Sequence, residues 1–276
     1  MKAVIPAGGF GTRFLPATKA QPKEMLPVYS KPIVQHLVEE AVASGIDDIL
    51  IITGRNKRSI EDHFDKSYEL EHSLQRAGKD RDLKRIRKIT DLADICYVRQ
   101  KDPMGLGDAI MCSQTHIGDE PFAVLLGHSV TRCLTPCTKQ LIEAHEKCGS
   151  SVIALKKSPR GIAKYRTVEA EKTGENTYKI SRIEERGRPA SELGIVGRYI
   201  LTPDIFDKIS ETEVGIENEI HLTDALKKLD TLHGLAFEGE SYLIENRLDW
   251  LEASIGFALD DGEFKDELIS HMKGFI

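Results

Sequence analysis

The sequence predicts an α/β fold built on a mixed, mainly parallel central sheet. Three observations carry this. Short apolar runs without helical periodicity stand at Lys2–Pro6, Asp48–Thr53, Ile95–Val98 and Phe122–Leu126; segments of helical pattern separate them; and a loop rich in glycine and proline follows the first run. Runs that are apolar on both faces need a sheet covered on both sides. Strands alternating with helices reach that state through parallel pairing and right-handed crossovers.

Pro32 to Ala43 carries Ile33, Leu37, Val38 and Val42 near one helical face, and Gly45 supplies a stop. Arg58 to Tyr68 reads as a polar helix, Lys79 to Lys88 as a solvated helix face, and Asp108 to Thr115 as a helix. After Cys148 the rhythm changes. Ser151–Leu155, Thr167–Ala170, Thr177–Ile183 and Ile195–Leu201 lie too close together for helical crossovers and predict a small antiparallel layer. Helices are expected around Asp204–Ile209 and Leu222–Leu229, then over Arg247–Ala258 and Asp261–Met272.

A net charge of -6 and the absence of a dense Lys/Arg tract argue against nucleic acid as a partner. No apolar run reaches the length of a membrane span, and the N-terminus enters a strand directly, so neither a membrane nor a signal peptide is expected. Five cysteines without a framework spacing suit a reducing cytoplasm. Cys133 and Cys137 are four apart, but no second pair completes a metal site, and they read as thiols.

Residues 7–28, AGGFGTRFLPATKAQPKEMLPV, carry the chemistry. Gly8, Gly9 and Gly11 after a strand let the backbone turn sharply and bring bare N–H groups to an anion. Arg13 adds a planar fork for phosphate oxygens, and Lys23 a second cation on a loop stiffened by Pro16, Pro22 and Pro27. A GGxG string by itself is most often a structural turn. The two cations on one rigid loop favour phosphate binding.

This stretch resembles the signature of bacterial and archaeal UTP–glucose-1-phosphate uridylyltransferases. Further blocks agree in order: ITGRNKRSIEDHFD (52–65), YVRQKDPMGLGDAI (97–110), GSSVIAL (149–155), IVGRYILTPDIFD (195–207) and EIHLTDAL (219–226). The resemblance implies a nucleotide-diphospho-sugar transferase (glycosyltransferase-A-like) fold over residues 1–276. It divides into a nucleotide lobe (1–118), a sugar-phosphate lobe (119–246) and C-terminal helices (247–276). It implies that Gln100 and Gly105 hold uracil, that Ala7, Gly8 and Gly9, with Gly11 and Thr12, line the nucleotide, and that Arg13 and Lys23 clamp the triphosphate. The implied reaction turns UTP and glucose 1-phosphate into UDP-glucose and pyrophosphate, with Mg²⁺ as cofactor.

The other half of the implied site departs from the family. Its two metal carboxylates fall on His128 (in LLGHSV) and Leu243 (in YLIEN), with Glu245 two residues on as a substitute ligand. On the sugar side the family's Tyr-Gly reads Tyr165-Arg166. Its Glu-Lys pair reads Glu184-Glu185, which keeps the sugar carboxylate and reverses the phosphate cation; Arg186 and Arg188 are candidates to replace it. Two alternatives follow: a weakened or inactive paralogue that binds nucleotide and regulates a partner, or a transferase for another sugar 1-phosphate. Apolar residues in the tail, among them Trp250, Leu251, Phe264 and Leu268, predict a homo-oligomer.

Overall fold

The structure is a computed structural model and describes residues 1–157, 162–187, 189–215 and 218–275. Its first half runs β1 (Lys2–Pro6), β2 (Pro27–Val28), β3 (Lys31–Pro32), α1 (Ile33–Ala43), β4 (Asp48–Thr53), α2 (Arg58–Phe64), α3 (Tyr68–Arg76), α4 (Asp80–Thr90), β5 (Asp94–Arg99), α5 (Gly105–Met111), α6 (Gln114–Ile117) and β6 (Phe122–Leu125). The second half runs β7 (Ser129–Arg132), α7 (Cys137–Cys148), β8 (Ser151–Lys157), β9 (Thr167–Lys172), β10 (Thr177–Glu184), β11 (Leu193–Leu201), α8 (Ile205–Ser210), α9 (Leu222–Leu226), β12 (Leu232–Ala236), β13 (Glu240–Leu243), α10 (Arg247–Ala258) and α11 (Lys265–Lys273).

Nine strands form one sheet in the order β5-β4-β1-β6-β11-β8-β12-β10-β9. β1 pairs in parallel with β4 and β6, and β4 with β5. β11 then runs antiparallel between β6 and β8. The expected antiparallel strands therefore continue the central sheet edge to edge. The strand period of two splits the β1 and β4 side chains between the faces. Ala3, Ile5, Ile49 and Ile51 join one core with α1 and α7, and Val4, Leu50 and Ile52 join the other with α5, α8 and α9.

Several segments differ from expectation. The polar run after Arg58 breaks at Asp65, whose backbone is extended (ψ 158°), and a new helix starts at Tyr68. The Asp108–Thr115 helix begins earlier, at Gly105, and ends at Met111. The sequence pattern left α7, β12 and the β7–β13 pair unassigned. β12 alternates buried and half-buried positions and contains Gly234, which weakens its strand signal. β7 and β13 are four residues each.

A buried ion pair ties the two halves of the chain. Arg198 on β11, 1% exposed, donates through Nε and Nη2 to the Glu40 carboxylate of α1 at 2.8–3.0 Å. Thr131 and Thr138 hydroxyls donate to the same carboxylate at 2.8 and 2.7 Å. Burial alone would raise the Glu40 carboxyl, but the guanidinium and hydroxyl donors outweigh it and hold it below its ordinary range.

α10 packs back on its own chain. Its N-cap Asn246 and Asp249 form a reciprocal capping box. Trp250 Nε1 donates to Pro27 O at 2.7 Å and Arg247 to Leu15 O at 3.0 Å. Leu248, Leu251 and Phe264 stay exposed. No helix of the described residues is long and apolar enough to cross a membrane.

Candidate active site

The loop after β1 is fixed by contacts with little slack. Ala7 N donates to Ile52 O at 2.8 Å, which carries the β1–β4 register one residue into the loop. A Cβ on Gly8 would stand 2.8 Å from Gln100 Oε1, and one on Gly54 would stand 2.8 Å from Gly8 O. Gly54 meets backbone and therefore needs glycine, while a methyl group at Gly8 would have to push the Gln100 amide aside. Gly9 has open space where its Cβ would be, so a ligand can approach its backbone. Gly11 sits at φ +69°, a left-handed conformation, with the Thr18 and Lys23 side chains crowding its Cβ position.

Two buried charges lock the loop's return. Lys57 Nζ donates to Gly9 O at 2.6 Å and to Glu24 Oε2 at 2.9 Å, with Glu24 fully buried. Lys57 and Glu24 went unassigned in the sequence reading. Their signal was present, because each sits inside one of the matching blocks.

Gln100 and Gly105 are brought together as expected. Gln100 Nε2 donates to Gly105 O at 3.2 Å and to Asp108 Oδ2 at 2.6 Å. The amide nitrogen is thereby occupied by the protein, which leaves Oε1 facing Gly8 as the acceptor on offer.

Thr12 and Arg13 form a short 3-10 turn at the rim of a cleft of about 510 Å³. Among the described residues lining it are four cations, Arg13, Lys23, Arg166 and Arg186, together with His128, Glu219, His221 and Glu245. The His128 imidazole is pushed well below its ordinary value, first by desolvation and then by Lys23, Arg186, Arg198 and Arg13. It is a neutral ring among cations. Behind it, Tyr165, Tyr199, Leu243 and Gly197 border a smaller recess of about 90 Å³.

The carboxylates are already engaged. Glu245 Oε2 stands 3.1 Å from Arg13 Nη1 and accepts from Arg186 Nη1 at 2.9 Å, while its Oε1 is 2.7 Å from the same nitrogen. Glu185 accepts from Arg166 Nε at 2.9 Å, so it neutralises that arginine instead of facing the cleft alone. Glu184 pairs with Arg182 at 2.5 Å and lines a separate surface hollow with Lys227. Arg188 lies outside the described residues.

The nucleotidyl transferase family model matches residues 2–241. The UTP–glucose-1-phosphate uridylyltransferase of Bacillus subtilis (strain 168) is 45% identical over 282 residues, which cover 100% of this chain and 97% of that one. A UDP-glucose pyrophosphorylase solved with UDP-glucose superposes with a TM-score of 0.84 at 40% identity, covering 94% of this chain and 99% of the other. A UTP-bound UGPase from Acinetobacter baumannii gives a TM-score of 0.89 at 30% identity, with 98% of both chains covered.

This chain belongs to the UTP–glucose-1-phosphate uridylyltransferase family.

The uridylyltransferase frame makes the departures concrete. Ile244 N donates to His128 O at 2.7 Å, and Leu243 pairs with Ser129 across the β7–β13 ribbon. The two turns expected to carry metal carboxylates are thus neighbours in space, and they present an imidazole and an isobutyl group. Glu245, the expected substitute ligand, has both oxygens on guanidinium groups. Mg²⁺ takes hard oxygen ligands, and these residues do not fit it. No cluster of three or more His, Cys, Asp or Glu suited to a metal occurs among the described residues, Cys133 and Cys137 included. Burial pushes the Cys133 thiol up to about 11 and the Cys137 thiol well above its usual range, which disfavours thiolate.

Arg186, a candidate phosphate cation, lines the cleft, and Glu219 and His221 are the lining residues that sequence reasoning missed. The block EIHLTDAL contains both of them. Nothing in that block marks which side chains turn inward until Ile220 N and O are seen pairing with Met104 O and Gly107 N.

Proposed function

We propose that the chain transfers the uridylyl group of UTP to glucose 1-phosphate, giving UDP-glucose and pyrophosphate. The observation that carries this reading is the locked loop, with Gly8 against Gln100, Gly9 open to a ligand, and Arg13 and Lys23 lining the cleft. Its full-length likeness to uridylyltransferases, one solved with UTP and one with UDP-glucose, supplies the substrates.

In this reading Gln100 Oε1 and the Gly105 turn meet the uracil edge, and Ala7, Gly8 and Gly9 flank the nucleoside. Arg13 and Lys23 take the phosphates. A sugar-phosphate oxygen attacks the α-phosphorus in line; the new P–O bond forms as the bond to the β-phosphate bridge breaks, and pyrophosphate leaves with the electron pair. The nucleophile is already an anion, so positioning and charge neutralisation by the protein's cations are the work required. Arg166, which lines the cleft while its Nε donates to Glu185, takes the sugar phosphate in this reading. Residues 1–276 act as one unit in the cytoplasm, consistent with five free cysteines. The exposed Leu248, Leu251 and Phe264 favour a homo-oligomer, which a monomeric mass in light scattering would exclude.

A second reading has a specific observation behind it: His128, Leu243 and the engaged Glu245 favour a nucleotide-binding paralogue of weak turnover that regulates a partner. A pyrophosphate-release assay with UTP, Mg²⁺ and a panel of sugar 1-phosphates separates them. Release with glucose 1-phosphate supports transfer, UTP binding without release supports the paralogue, and release with another sugar phosphate redefines the substrate.

A further inference from the structure

The metal positions and the cation cluster of this cleft complement each other. Where carboxylates would recruit Mg²⁺, the chain places the imidazole of His128 and the isobutyl group of Leu243, neither of them a hard oxygen ligand. Around the same spot stand Arg13, Lys23 and Arg186. Arg186 and Arg13 meet on one carboxylate, that of Glu245, which is 15% exposed and bridges the guanidinium groups across the cleft mouth. Each guanidinium meets the carboxylate through its Nη1, Arg186 contacting both oxygens and Arg13 one, and a phosphate group offers the same guanidinium groups a comparable set of anionic oxygens.

We propose that this cleft binds the polyphosphate of its nucleotide with protein cations alone, Arg186 standing in for the divalent ion, and that Glu245 is an internal anion which the phosphates displace. The inference rests on the uridine-nucleotide reading above and adds to it how the charge is neutralised. The balance of charge favours it. Dissolving the Glu245 bridge frees two guanidinium groups at once, and they join Lys23 in facing the incoming anion. A site of this kind is sensitive to salt, since the ligand is held by charges that solvent ions screen.

The test is calorimetry of UTP, UDP and UMP with the full chain, in excess EDTA and in excess Mg²⁺. The expected result is that UTP affinity in EDTA equals or exceeds that in Mg²⁺. Arg186→Gln should weaken UTP in EDTA by about tenfold or more, the scale of one lost charge-assisted hydrogen bond, and change UMP far less. Glu245→Gln should tighten UTP, because the competing anion is gone. Arg186→Lys, which keeps the charge without the fork, should fall between wild type and Arg186→Gln, and melting curves identify any variant that fails to fold. UTP binding that appears only with Mg²⁺, or an Arg186→Gln protein of unchanged affinity, overturns the inference and leaves the uridine reading standing. Absence of binding by any of the three nucleotides in both conditions overturns the uridine reading, and the inference with it.

Discussion

The two walls of the cleft are built from different kinds of charge. On the loop wall, Glu24 and Lys57 are 0% and 5% exposed, and Gly8 leaves no room for a methyl group beside Gln100. On the facing wall, Glu185 of the Arg166–Glu185 pair is more than half exposed, and Glu245 is paired with the loop's own Arg13, which is 63% exposed. Buried pairs of good geometry fix one arrangement, because removing either partner strands a charge. Exposed pairs contribute little and exchange partners readily. The contrast shows a preformed nucleotide wall facing a rearrangeable wall of salt bridges. That division matches where the sequence keeps the family pattern and where it leaves it.

The largest expected effect lies in the floor beneath both walls. Arg198→Met leaves the Glu40 carboxylate buried without its guanidinium and is expected to lower stability by about 3–5 kcal/mol in a denaturant titration. The same pair sets an acid dependence. Because the pair holds the folded Glu40 carboxyl below its ordinary value, its contribution is full above that ordinary value. It fades as pH falls through the folded value, so Glu40→Gln should flatten the acid limb of melting temperature against pH.

Restoring carboxylates sharpens the comparison from the other side. His128→Asp with Leu243→Asp should make turnover dependent on Mg²⁺ and raise pyrophosphate release by about a hundredfold, the scale of a lost electrostatic stabiliser. Unaltered turnover with no new metal dependence in that variant would show that the two turns do not carry the defect. Gly8→Ala drives a Cβ into Gln100, whose nitrogen is tied to Asp108 and Gly105. Making room displaces Gln100 Oε1 from the position assigned to the uracil edge, so UTP affinity should fall about tenfold, the scale of one lost hydrogen bond. The smallest effect belongs to the facing wall: Glu185→Gln should change stability by less than about 1 kcal/mol, and a larger loss would end the description of that wall as rearrangeable.

Much of this was legible from sequence, unevenly. The β1, β4 and β6 strands were clear because both faces are buried and their runs are continuously apolar. The phosphate loop was clear because glycine, arginine and lysine fall at fixed offsets after a strand. The β7–β13 ribbon was not, since four-residue strands with half-buried positions carry little periodic signal. The substitutions at His128 and Leu243 could be read directly. Their consequence could not, because it depends on Arg13 and Arg186 reaching Glu245 from segments more than a hundred residues apart in sequence. Likewise Glu185 looked like a reversed charge at a phosphate position until its partner Arg166 was in place. Side-chain pairing across the chain is the information that a linear pattern lacks.

The clasp between α10 and the phosphate loop has a consequence for how the molecule is born. The Leu15 and Pro27 carbonyls accept from Arg247 and Trp250, donors made more than two hundred residues later, and Tyr29 Oη waits for Asp261. Most of the sheet can assemble vectorially as it leaves the exit tunnel. The phosphate loop acquires these last restraints only after α10 and Asp261 have been made, so the growing chain holds a scaffold before it holds a finished binding site.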